Sequence, residues 1–149
     1  MSLLVVGNAV EAAMDAIRVH LRSDATLRGL VTGIYEQLPE AAQTAYPYVR
    51  LSSPSLDNQG YGAMGTSGGV FTGMIDAWSD AKGPHAVRQI LAQIKTLVER
   101  VDLAIAGHRV AGGSLTVIDE RDFDEPDPDM PERRLWHGHL TIQMLIEES

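Results

Sequence analysis

The stretch that decides the fold is VFTGMIDAW, residues 70–78, followed after a short break by GPHAVRQILAQIKTLVERV, residues 83–101. In the first segment Phe71, Ile75 and Ala77 fall on one face at a period of two, the spacing of a strand with a single buried side. Gly73 sits between them, where a missing side chain implies a bulge or close packing against another backbone. In the second segment Val87, Ile90, Leu91, Ile94, Leu97, Val98 and Val101 recur at helical spacing, with Arg88, Lys95 and Glu99 off that stripe. Pro84 suits the first turn of such a helix. A strand followed by an amphipathic helix is therefore the nucleus of the fold.

Working outward, Val10, Ala13, Met14, Ile17 and Leu21 predict a helix over 8–22, with Asn8 and Glu11 spaced as a capping pair. Ala25–Leu30 adds at most one further turn. Residues 33–38 and 46–52 read as two strands, the second with Pro47 at an edge or entry position. Leu103–Val110 and Ser114–Asp119 are strand material around a Gly112-Gly113 turn. Leu140, Ile142, Met144 and Ile146 alternate with polar neighbours in a long closing strand over 135–147. Helices and strands do not alternate regularly. The expected class is α+β: a mostly antiparallel mixed sheet with two main helices packed on one face, in a single domain spanning 1–149.

Two segments resist this patterning. Residues 54–69 hold five glycines, and a loop of that length is functional or mobile. Residues 119–133 read as a second mobile loop. Asp119–Glu132 carries eight acids against Arg121 alone, a charge of −7 out of a total of −8. The rest of the chain is nearly neutral and has no basic stripe for neutralising phosphates, which argues against nucleic-acid binding as the main task. There is no cysteine, hence no disulfide and no thiolate chemistry. The N-terminal apolar run lacks a basic leader and is too short to be a signal or a span, so synthesis in the cytoplasm and no membrane partner are expected.

The candidate chemical motifs are weak. Gly60–Gly65 matches GxGxxG, but no helix opens after it to receive a pyrophosphate, so no nucleotide or other cofactor is expected. His137 and His139 share a strand face at metal-ligand spacing, and the acidic segment before them could supply a third ligand. With no cysteine and only three other histidines, a solvated or interface face is the favoured reading of that pair. The acidic run lacks the central glycine of a calcium loop and contains Pro126, Pro128 and Pro131. No serine lies in a nucleophile elbow. Trp78 is expected to seal the corner between its strand and the following helix.

The order of the pieces carries a resemblance. A strand ending in Ile75-Asp-Ala-Trp78-Ser79, the helix over 84–101, the run 103–110 and a final strand opening on Trp136-His-Gly follow the earlier 33–35 and 46–49 pair. From Leu3 to Ile146 this layout resembles the small tail-completion proteins, or tail terminators, of long-tailed bacteriophages and gene transfer agents. The resemblance implies a non-enzymatic structural protein that forms a hexameric ring with itself. It would cap the tail tube protein, meet the head–tail connector protein and pass DNA only as cargo. It would be made in the host bacterial cytoplasm and end in the virion tail or neck. Tyr61 and Met64, with Asp122, Asp124, Asp127 and Asp129, become candidate assembly or channel-lining residues; acids facing a channel would repel passing DNA. A head-completion or connector-stopper protein is the neighbouring alternative, and a small ligand- or metal-binding domain the one from another class.

Overall fold

The computed structural model describes residues 2–42, 45–57 and 68–148. The strands are β1 (Ile34–Tyr35), β2 (Tyr48–Asp57), β3 (Gly68–Ser79), β4 (His108–Val110), β5 (Thr116–Pro126) and β6 (Arg134–Glu148). The helices are α1 (Ser2–Arg22), α2 (Ala25–Leu30) and α3 (His85–Val98). One six-stranded sheet runs in the order β1-β2-β3-β6-β4, and β5 lies on the β4 side of β6, against its residues 134–143. Among the described strands only the β1–β2 pair is parallel. The class is the α+β arrangement expected from the patterning.

All three helices belong to one face. α1 packs on β1 and β2, α3 lies across β3, β5 and β6, and α2 joins α1 to α3. The apolar stripes meet there: Ala13, Met14, Ile17 and Leu21 of α1 and Ile90, Leu91, Ile94 and Val98 of α3 close on Val49, Leu51, Phe71, Ile75, Leu140, Ile142 and Met144. Each of the larger side chains contributes about 1.5–3 kcal/mol when fully buried. Gly73 pairs regularly with Ile142, without a bulge; a Cβ there would come within 3.1 Å of the Phe71 ring, so a side chain and not another backbone claims the space. The Phe71 ring fills what Gly73 leaves empty.

Several expected boundaries move. α1 starts at Ser2, so positions 8 and 11 lie inside it and not at its N-terminus; Gly7 alone costs roughly 1 kcal/mol and does not stop the helix. α2 takes its cap from Asp24, whose carboxylate accepts from the Leu27 amide at 2.8 Å. The first strand shrinks to two residues. α3 ends at Val98, and Arg100 turns the chain in the left-handed region at φ 59°. Leu103–Gly107 is not a strand, because only Ile105 bridges, to His108.

Two corrections are larger. β2 continues through Pro54 to Asp57, shortening the expected 54–69 loop from its front; residues 58–67 lie outside the described residues. A register shift between Ser52 and Ser55, with Ser53 at φ 50°, lets Pro54 sit on an edge where its missing N–H breaks no ladder bond. The acidic segment is also mostly not a loop. Residues 119–126 form most of β5, and only 127–133 make the turn into β6. Strand alternation explains how so many acids are accommodated. Glu120 and Asp122 face α3 and meet Lys95 at 3.1 Å and Arg88 at 2.9 Å, while Asp124 meets Arg134 at 3.3 Å. Charge density alone had suggested a solvated loop; cross-element cations make a strand possible.

Candidate functional site

The face of the sheet away from the helices carries the most organised chemistry. Alternation puts Asp76 and Trp78 of β3, His137, His139 and Thr141 of β6, and Phe123 and Glu125 of β5 on that side. Register then brings them together: Asp76 lies opposite His139, Trp78 opposite His137, and Phe123 opposite His137 on the other flank.

At the centre, Asp76 Oδ1 accepts two hydrogen bonds, from His137 Nε2 at 2.7 Å and His139 Nδ1 at 2.8 Å. A carboxylate has only acceptors, so both ring nitrogens donate. The far nitrogen of His139 meets the Thr141 hydroxyl at 2.8 Å, with Asp119 at 3.7 Å. The far nitrogen of His137 is buried and has no hydrogen-bond partner among the described residues, and Glu125 Oε1 stands 3.5 Å away. That same oxygen accepts from Trp78 Nε1 at 2.9 Å. The result is a row in which each imidazole lies between carboxylates: Glu125, His137, Asp76, His139, Asp119.

Aromatic rings roof one end of this row. Trp78 stacks on His137 at 4.3 Å between centroids, Phe123 tilts onto it at 4.7 Å, and Tyr48 and Tyr46 extend the run beyond Trp78. These rings and the tight hydrogen bonding leave the Asp76 side chain only 12% exposed, on the sheet face away from the described helices. Burial by itself raises the Asp76 carboxyl, but the hydrogen bonds and charges of His137 and His139 outweigh it and hold it below its ordinary value. Burial first, and then the neighbouring Tyr46, push the Tyr48 phenol up to about 12.

A pH dependence follows. A carboxyl depressed on folding adds stability that is complete above its unfolded value, near 3.8, and is lost as pH falls through the lower folded value. The stability advantage of the wild type over Asp76→Asn is therefore expected to hold at pH 6 and to shrink below pH 3.8, read as urea midpoints at each pH. An advantage that grows on acidification would contradict the arrangement.

The sequence-derived candidates divide among several places. His137 and His139 do share a face, but their inward nitrogens converge on one carboxylate oxygen and not on a vacant position. Asp76, the residue that organises them, was missed; the available signal was an acid between Ile75 and Ala77 in the middle of an apolar strand. Among the described residues no group of three or more His, Asp or Glu side chains is arranged to hold a metal ion. Trp78 does not seal the strand–helix corner: it points to the open face, while Ser79 is buried on the helix side and accepts from the Ala81 amide at 3.1 Å. Asp122 and Asp124 are ion-paired as above. Asp127 is only 5% exposed and accepts from the Asp129 amide at 2.9 Å, organising the turn. Tyr61, Met64 and the GxGxxG run lie outside the described residues. Elsewhere, a groove of about 900 Å³ lies between α1 and residues 101–108, lined by Ala16, Val19 and Leu103 and by the acids Glu11 and Asp15. Among the described residues no helix is long and apolar enough to cross a membrane.

The family model described as tail completion protein gp17 matches residues 15–147. Among solved structures, the chain is similar to one from the virion of a native gene transfer agent particle, with a TM-score of 0.73 and 22% identity over 95% of this chain and 97% of that one. It is also similar to the gp17 protein of bacteriophage SPP1, with a TM-score of 0.56 and 16% identity over 91% and 89% of the two chains. At these identities the likeness is one of fold. No curated protein sequence matches the chain.

Proposed function

We infer that this chain, which belongs to the tail completion protein gp17 family, is a structural subunit at the end of a phage-type tail, forming a ring that caps the tail tube and joins it to the head. The observation that carries this reading is the family match over nearly the whole chain, joined to a fold shared end to end with a chain of a gene transfer agent virion. The role is one of assembly, not catalysis. A ring subunit needs two different contact surfaces, one for each neighbour. The site supports this: the open sheet face is organised by aromatic rings and by a carboxylate oxygen that accepts from two imidazoles, as a surface that meets a partner in one geometry must be.

Light scattering over a concentration series, alone and with purified tail tubes, tests the ring. The expected result is a discrete species of six copies, in free solution or on tube ends. In particles made without this chain, tubes are expected to lose their uniform length and heads to remain unjoined, as seen by electron microscopy. Tubes of normal length with unjoined heads would favour a head-side stopper over a tube cap. Normal, joined particles would sink both.

A further inference from the structure

We propose that neighbouring copies join by strand addition, β5 of one copy lying beside β2 of the next, so that the sheet continues from subunit to subunit. The proposal rests on the ring reading and identifies its contact.

The sheet has two open edges. At one end β1 pairs only with Val49 and Arg50, leaving Leu51–Leu56 of β2 with no described strand on their outer side. At the other end β5 pairs with β6 along its length, and no described strand pairs with its outer side. Backbone N–H and C=O groups along such edges form a ready ladder for another strand. The two edges lie at opposite ends of one sheet, so joining them is a head-to-tail contact in which every copy uses both.

The side chains select the unlike pairing. β5 against β5 would set Asp119, Glu120, Asp122, Asp124 and Glu125 beside their own copies, and like charges across a ladder are destabilising. β2 against β2 would bring together two Pro54 residues without N–H donors and two irregular registers at Ser52–Ser55. β2 against β5 removes the like-charge conflict and brings a single Pro54 and a single irregular register into the ladder instead of two. Beyond the stretch paired with β1, residues 51–56 carry no acid and offer the hydroxyl donors Ser52, Ser53 and Ser55, a fit for an acid-rich partner. It would also cover Ile118 and Phe123, which are 52% and 40% exposed and are the large apolar side chains that β5 leaves in water.

Hydrogen exchange read by mass spectrometry, comparing dilute and assembled protein, tests the contact. Protection is expected to rise in peptides covering 51–56 and 116–126. The double variant Ser53→Asp, Ser55→Asp changes two exposed side chains outside the core. It is expected to weaken assembly by roughly tenfold or more while leaving the unfolding of the dilute protein unchanged. Ser55→Lys is expected to tighten assembly. Assembly with protection confined elsewhere, such as the groove beside α1, or assembly indifferent to the acidic pair, would overturn strand addition and leave the ring reading standing. Protein that stays monomeric alone and on tail tubes would overturn both.

Discussion

Replacing Asp76 by alanine is expected to lower the stability of the domain by about 2–4 kcal/mol, because it leaves two largely buried imidazole donors without an acceptor. His137 and His139 both donate to a single oxygen of that carboxylate, and neither has another described acceptor within hydrogen-bond distance for the nitrogen concerned. For a chain of 149 residues the loss corresponds to a fall of roughly 10 °C in Tm. Asp76→Asn keeps an acceptor oxygen of the same shape and is expected to fall between wild type and alanine. The damage should also reach the aromatic run, since His137 holds its place between Trp78 and Phe123 partly through Asp76. Tryptophan fluorescence of the folded Asp76→Ala protein should therefore shift as well. An alanine variant within about 0.5 kcal/mol of wild type would mean that the row is solvated and holds nothing in place.

The second large effect lies on the other side of the sheet. Leu91 of α3 sits directly over Gly138, where a Cβ would come within 2.9 Å of Leu91 Cδ1 and 3.0 Å of its Cγ. Leu91→Ala, at a fully buried site, is expected to cost about 2–5 kcal/mol through lost contacts and the cavity left behind. Gly138→Ala, which overfills the same space, is expected to cost about 1–3 kcal/mol because the branch point of the leucine, not only its tip, must yield. Together the two changes should be clearly less than additive, the new methyl occupying part of the vacated volume. Denaturant unfolding of the four proteins measures the coupling. Strict additivity would show that α3 does not cross β6 at this point.

Much of the helix-facing half of the molecule was legible in the sequence. Periods of two and 3.6 identify which side chains must leave water, and Phe71, Ile75, Ile90, Ile94, Leu140 and Ile142 are buried as their spacing required. The family layout was legible for a related reason, since order and length of elements survive in the chain itself. The open face was not. Its polar and aromatic residues follow no single hydropathy period, and their meaning depends on register. Asp76 and His139 are 63 residues apart and meet only because β3 and β6 pair in one alignment.

The acidic segment failed for the complementary reason. Local charge and prolines argue for a loop, but Arg88 and Lys95 lie on a helix more than twenty residues earlier and make a strand tolerable once α3 is docked. The sequence by itself determined the apolar faces, and with them the class of the fold, because burial is a property each residue carries. Only the tertiary structure decided which polar groups answer one another, because a hydrogen bond or an ion pair belongs to two residues and to the distance between them.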